Sequence, residues 1–360
     1  MQLIQLRLLS FKNHRDHRFD FQGDLIAFCG KNGVGKTNVL DAIHTLCMCK
    51  SYFQSIEANT IYHGDPYYSV FGKLEKDGQH EVACLYDRLK GKTFQFDKNP
   101  YARLAEHIGK MPVVFIAPGD IRLIHEGSEE RRRFMDMILS QTDSRYLNDL
   151  LRYQKALDQR NKQLKIFNEK GYVDTLLLES LNAQLIAPAA YLYEQRKAFI
   201  SSFLPAFQEH HAVLTQEEEE VGLNYESDLE TGDMATLLME NNNADLDLGR
   251  TTRGLHKDDL LFSLKGFPLK KFGSQGQIKT YLIALKLAQF DYLKEKTGIK
   301  PFLLLDDIFE KLDEYRAERL IQMVAQDHFG QIFLTDTHKQ RVESIFSEIG
   351  RKAEIFVLET

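Results

Sequence analysis

Hydrophobic residues fall into three successive regimes along this chain: short runs and alternations, then long helical periodicity, then runs and helices by turns. In residues 1–120, Leu6, Leu8, Phe19 and Phe21 alternate with polar neighbours. Tyr68 to Leu74, Glu81 to Leu85 and Thr93 to Phe96 have the period-two rhythm of a small antiparallel sheet, with Lys76-Asp77-Gly78 as a hairpin turn. Leu25 to Cys29 and Val113 to Ile116 are unbroken apolar runs and predict buried strands, the second stopped by Pro118-Gly119. After Thr37 the apolar residues Val39, Leu40, Ile43, Leu46 and Cys47 take helical spacing.

From Ser128 to about His211 the pattern is helical. Ser128 before Glu129 and Glu130 predicts a capped, acidic first turn. Tyr146, Leu150, Tyr153, Leu157 and Leu164 form the seam of a short helical hairpin, and Arg160 stands where an apolar residue is expected. A second helix is expected from Tyr172 to about His210, kinked at Pro188. Glu217 to Glu220 and Asn241 to Asn243 read as loops around a strand at Gly222 to Tyr225. Past Arg250 the order is strand 259–264, helix 275–294, strand 302–305, helix, strand 332–334, helix, strand 354–358. This predicts an α/β head of discontinuous sequence, residues 1–127 and 246–360, with an α-helical lobe inserted at 128–245.

Composition adds limits. The 360 residues, 43% hydrophobic and 27% charged, suit a soluble globular protein of about two domains. No apolar run reaches the roughly 20 residues of a membrane span, and the first residues lack a signal-peptide pattern. Cys29, Cys47, Cys49 and Cys84 form no C-x-x-C pair, so they read as reduced thiols in a cytoplasmic protein without zinc. A net charge of −6 excludes a globally basic nucleic-acid binder. Local patches remain: residues 250–279 carry seven Lys/Arg against two Asp, and Lys12 to Arg18 is also basic.

Candidate chemistry centres on Gly30-Lys31-Asn32-Gly33-Val34-Gly35-Lys36-Thr37, the G-x-x-x-x-G-K-T phosphate-binding loop, set between the expected strand and helix that the motif requires. The glycines let the main chain approach a phosphate, Lys36 would neutralise it, and Thr37 would ligate Mg²⁺. Phe302 to Leu305 is an apolar strand ending in Asp306 and Asp307. Asp306 suits the metal shell and Asp307 the polarisation of attacking water; a strand end with a helix-capping Asp would look the same. Ser274-Gln275-Gly276-Gln277 reads as a capping box, and also as the signature loop of ATP-binding-cassette proteins, where a helix N-terminus meets the γ-phosphate held by a second subunit. Leu312-Asp313 stands where their D-loop falls, and His338 where their switch histidine falls.

Several stretches together carry a more specific resemblance: Gly30 to Ile43, Val114 to Asp120 with Gly127 to Asp136, Tyr153 to Asn161, Gly254 to Asp259, Ser274 to Gln277 and Leu303 to Asp313. The chain resembles the RecF family of bacterial recombination mediators, relatives of the SMC-type ATPases, over nearly its whole length. It departs from the family pattern at Leu255, where Pro is usual, and at Gly119, where an acid is common.

The resemblance implies a cassette-type ATPase head and a dimer closed by ATP and Mg²⁺. It also implies binding to gaps and single-strand/double-strand junctions in DNA, and work with RecO and RecR to load RecA in repair, replication restart and SOS induction. Expected nucleotide contacts are Lys12, Asn13, residues 30–37, Asn38, Ser274, Gly276, Gln277 and Asp313. Lys36, Asp306, Asp307 and His338 are the expected catalytic groups, with Thr37 and Asp306 on the metal. Arg253, Lys257 and Lys271 are the candidate DNA contacts. Asp307 replaces the Glu of many cassette ATPases, and its shorter reach implies slow turnover suited to a timer; a weak, DNA-stimulated ATPase is the expectation. Two rivals share these motifs: the ATPase subunit of a transporter, and an assembly protein that binds ATP without turnover.

Overall fold

The computed structural model describes residues 1–215, 219–308, 314–324, 328–348 and 350–359. In chain order the elements are β1 (Gln2–Phe11), β2 (His14–Asp20), β3 (Leu25–Cys29), α1 (Lys36–Met48), β4 (Tyr67–Glu75), β5 (Gln79–Asp87), β6 (Gly91–Phe96), β7 (Asn99–Pro100) and β8 (Val113–Ile116). Four helices follow: α2 (Arg122–His125), α3 (Ser128–Thr142), α4 (Ser144–Lys170) and α5 (Thr175–Leu214). Next come β9 (Val221–Glu226), α6 (Met234–Glu240), α7 (Asn242–Leu248), β10 (Asp259–Leu264), β11 (Phe267–Pro268) and α8 (Leu269–Phe272). The chain finishes with α9 (Gln275–Thr297), β12 (Phe302–Leu305), α10 (Glu314–Val324), β13 (Ile332–Asp336), α11 (Lys339–Glu348) and β14 (Glu354–Val357).

Contacts divide the chain into two units. The first comprises Met1–Asp120, His210–Glu218 and Gln275–Thr360; the second comprises Ile121–Glu209 and Glu219–Ser274.

Within the first unit, a parallel sheet has the order β14-β3-β13-β12-β8. Every residue of β3, β8, β12 and β13 is buried. That is why these strands read as continuous apolar runs, for a parallel sheet is covered on both faces. An antiparallel sheet of order β2-β1-β4-β5-β6-β7 makes up the rest of its strands among the described residues. Its β4–β5 hairpin turns at Asp77 and Gly78, both with positive φ, where the Lys-Asp-Gly turn is expected. Helix α9 is buried nearly all round, from Ile278 to Leu293, and so shows no single apolar stripe.

The second unit is mainly helical. Asp143 caps α4 by accepting from the backbone N–H groups of Arg145 and Tyr146, and Gly171 ends it at φ 65°. Helix α5 continues through Pro188 and Pro205. Ser128 is the first residue of α3 rather than its cap, since Gly127 occupies that place.

The expected return to the head at residue 246 needs correction. Strand β10 pairs antiparallel with β9, from Asp259 opposite Glu226 to Leu264 opposite Val221. This sheet keeps residues up to Ser274 with the helices of the second unit.

Arg160 of α4 is wholly buried. Its guanidinium reaches Asp245 at 2.7 Å, Thr251 at 2.7 Å and Asn182 at 2.7 Å. The polar interruption of the apolar seam is therefore a buried ion pair that ties α4 to α7, with Thr251 just beyond α7 as a further partner.

Candidate nucleotide-binding site

Where β3 stops, the backbone turns through Gly30 (φ 151°), Gly33 (φ 87°) and Gly35 (φ 101°). A Cβ on Gly35 would lie 2.4 Å from Asn13 Oδ1 and 2.7 Å from His14 Nε2, whereas one on Gly33 would meet nothing within 4 Å. The two glycines thus serve different needs. Gly35 lets β2 and its preceding turn pack against the loop, and Gly33 keeps an open main-chain surface. Lys31, Asn32 and Gly33 are exposed, while Val34 is buried and anchors the loop. No side chain caps the N-terminus of α1, and an uncapped helix start beside a glycine loop is an anion site. Lys36 is buried and folds back, donating to the carbonyls of Gly30 at 2.8 Å and Lys31 at 3.1 Å.

Sheet order brings the acidic strand end to this loop. Strand β13 lies between β3 and β12, and Asp306 follows directly after β12. The Thr37 hydroxyl donates to Asp306 Oδ1 at 2.7 Å. Thr335 of β13 donates to the same oxygen at 2.9 Å and accepts from the Asp307 N–H at 2.9 Å. Asp306 is 5% exposed. Burial, aided by the nearby Asp307, raises its pKa, while the bonds from Thr37 and Thr335 and the charge of Lys36 oppose the rise. Asp307 adopts φ 44°, a left-handed conformation that Asp tolerates better than most residues.

The donor set fits Mg²⁺. A hydroxyl and a carboxylate are hard oxygen ligands, and among the described residues no group of three His, Cys, Asp or Glu could cage a metal. Mg²⁺ keeps several waters and takes one or two protein oxygens plus phosphate oxygens. The glycine cradle, Lys36 and Thr37 likewise fit a nucleotide triphosphate tail.

Other expected residues are placed as follows. Asn13 accepts from the Asn38 side chain at 2.7 Å, beside the loop. Lys12 is instead committed to Asp41 at 2.6 Å, a wholly buried carboxylate that also accepts from the Tyr52 N–H and the Ser51 hydroxyl. His338 is exposed, just beyond the C-terminal end of β13, and its N–H donates to Asp336 at 2.7 Å. Ser274 is exposed at the end of the second unit, and Gly276 and Gln277 lie in the first turn of α9. A Cβ on Gly276 would come within 2.9 Å of Arg316 Nη1. Asp313 lies outside the described residues.

Sequence reasoning missed His14. Its Nε2 lies 3.0 Å from the Gly35 carbonyl, and burial pushes its pKa down to about 4. A neutral ring donating to that carbonyl stiffens the loop. His14 opens a strand directly after Asn13, but the stretch reads as a basic surface patch, so only the pairing of β2 with β1 shows it facing inward.

Among the candidate DNA contacts, Lys257 and Lys271 are exposed, and Arg253 is paired with Asp228 at 2.6 Å. The loop carrying Arg253 and Lys257 is firmly seated. Arg196 donates to the Leu255 carbonyl at 3.0 Å and to Asp258 at 2.6 Å, and Tyr153 bonds His256 at 3.1 Å. Buried Leu255, where the family pattern has Pro, needs no fixed φ in so braced a loop. The Arg131-Arg132-Arg133 run is satisfied within its own unit, on Asp259, the Asp258 carbonyl, and Glu129 with Glu130 respectively.

A profile describing an AAA ATPase domain matches residues 1–200. The DNA replication and repair protein RecF of Flavobacterium johnsoniae is 45% identical over 359 residues, covering 99% of this chain and 100% of that protein. The protein of the same name from Bacteroides fragilis is 43% identical, covering 100% and 97%. A solved structure of the recombination mediator protein RecF with ATP, from the RecFOR pathway, superposes with a TM-score of 0.87 at 28% identity, covering 95% of this chain and 93% of that one. An Smc head bound to the C-terminal winged-helix domain of ScpA shares the fold, with a TM-score of 0.56 at 15% identity.

Proposed function

We propose, because the chain belongs to the RecF family of DNA replication and repair proteins, that it is an ATP-binding recombination mediator whose bound nucleotide joins two copies on DNA. The observation that carries the ATP reading is the Thr37–Asp306 bond, which sets a hydroxyl and a carboxylate side by side at the mouth of the glycine loop. The loop N–H groups and Lys36 would hold the phosphates, and Thr37 and Asp306 would hold Mg²⁺. The metal, when bound, supplies charge that stabilises the transferring phosphoryl group. Asp307, set in its unusual conformation beside Asp306, would orient and polarise the attacking water.

In this reading each nucleotide lies between residues 30–37 of one copy and Ser274 to Gln277 of the other. Closure presents Arg253, Lys257 and Lys271 to DNA at gaps and single-strand/double-strand junctions. Slow hydrolysis, stimulated by DNA, then releases the dimer. RecO and RecR are the proposed partners, and the cytoplasm the proposed location. Among the described residues no helix is long and apolar enough to cross a membrane.

The test is binding of gapped, continuous and single-stranded DNA, with and without ATP, by the wild type and Lys36→Ala. Tight binding to gapped DNA that needs both ATP and Lys36, and that falls steeply with salt, is expected. DNA binding indifferent to ATP and to Lys36 would overturn the reading.

A further inference from the structure

A single buried anchor holds two aromatic rings in solvent at the edge of the second unit. Strand β10 ends at Leu264, Lys265 and Gly266 take positive φ, and the chain reverses into β11, with Leu264 opposite Phe267. Leu269, which is 0% exposed, pins the short turn α8. Lys265, Gly266, Phe267, Pro268, Lys270, Lys271 and Phe272 are all exposed around it. Phe267 is 59% exposed and Phe272 67%. Their ring centroids are 5.5 Å apart with planes inclined at 58°.

Two phenylalanines left this far in water are a contact surface awaiting a partner, because their mutual contact covers only part of each ring. The chemistry around them says which kind. Segment 265–272 contains three lysines and no acid; Lys265 is paired with Glu219 at 3.4 Å, and Lys270 and Lys271 are exposed beside the rings. Lysine is depleted at protein–protein interfaces, which disfavours a second protein surface. Aromatic rings beside lysines match a nucleic-acid strand: bases stack on the rings and phosphates meet the ammonium groups. Bases inside a continuous duplex are already stacked on one another, so only an unpaired base can use such a platform.

We propose that Phe267 and Phe272 form a stacking platform for unpaired bases of a DNA strand, with Lys270 and Lys271 meeting the flanking phosphates. The proposal rests on the DNA-binding reading above and deepens it. The seated loop at 253–257 contacts backbone only, while the phenylalanine pair distinguishes a gap from continuous duplex.

The experiment compares wild type, Phe267→Ala/Phe272→Ala and Phe267→Tyr/Phe272→Tyr, all with ATP at one salt concentration. The substrates are a duplex with a short single-stranded gap carrying 2-aminopurine and the same duplex without a gap. The alanine pair should weaken gap binding about tenfold or more, abolish the change in 2-aminopurine fluorescence, and leave continuous-duplex binding unchanged. The tyrosine pair should restore gap binding and the fluorescence change. Wild-type gap binding by the alanine pair, or equal weakening on both substrates, would overturn the platform. So would a lower ATP-dependent mass of the alanine pair in light scattering, which would assign the patch to a second copy. If the wild type binds no DNA at all, the function proposed above fails as well; if it binds DNA and the alanine pair matches it, the platform alone fails.

Discussion

Thr37 and Asp306 share a hydrogen bond of 2.7 Å although 269 positions separate them in the chain. Strand β13 makes this possible, because it spaces β3 from β12 so that the start of α1 and the end of β12 meet. The Thr37 hydroxyl spends its hydrogen on this bond and keeps its oxygen lone pairs, so Thr37 and Asp306 would hold a metal side by side.

The stability of this arrangement is expected to depend on pH. The raised pKa of Asp306 means that the fold without nucleotide binds its proton more tightly than the unfolded chain does. The stability it contributes is fully present below the ordinary carboxylate value of about 4 and is lost as pH rises through the raised value. Asp306→Asn mimics the neutral form. Without nucleotide it should melt higher than wild type at pH 8, by a smaller margin at pH 5, and should lose the extra stabilisation that Mg²⁺ with ATP gives the wild type. Thermal melts at both pH values check this; a variant that melts lower at pH 8 would contradict it.

Gly33 and Gly35 should fail differently. Gly35→Ala meets Asn13 and His14 and also the left-handed backbone, so it should cost roughly 2–4 kcal/mol of stability together with ATP binding. Gly33→Ala meets only the backbone penalty, about 1 kcal/mol. Urea unfolding beside calorimetric ATP titration separates the two; equal losses in stability would refute the steric account.

Arg160→Met should destabilise the second unit by about 3–5 kcal/mol, because it strands the wholly buried Asp245 without its cation. Adding Asp245→Asn should recover part of the loss, since the amide oxygen still accepts from the N–H and hydroxyl of Thr252. Denaturant unfolding of the single and double variants measures the coupling. Additive losses would show that the pair is not a unit.

Ser274→Arg should spare ATP affinity but abolish ATP-dependent dimerisation, because Ser274 is exposed and, in the proposed sandwich, faces the nucleotide held by a second copy. Light scattering with and without ATP decides, and a normal ATP-induced dimer in the variant would refute that geometry.

Much of this was legible from local pattern. The glycine loop, its flanking strand and helix, and the acidic strand end are contiguous motifs, and the buried parallel strands announce themselves as apolar runs. What stayed hidden depends on pairing between distant segments. The boundary at 246 misplaced β10, because nothing local says that its partner is β9. Arg160 looked like a flaw in a seam until Asp245 and Thr251 were seen to meet it. Lys12 matched an expected nucleotide contact, yet the carboxylate of Asp41 holds it.

Both neighbours of β3 in its sheet come from far downstream: β13 on one side and β14 on the other. During synthesis the glycine loop therefore leaves the ribosome attached to a wholly apolar strand with no partner, and must wait for residues 332–357. The nascent chain carries an unpaired hydrophobic edge for most of its translation, a demand on chaperones. A premature stop between Thr37 and Ile332 would leave a polypeptide that contains every residue of the phosphate loop but neither strand that pairs with β3.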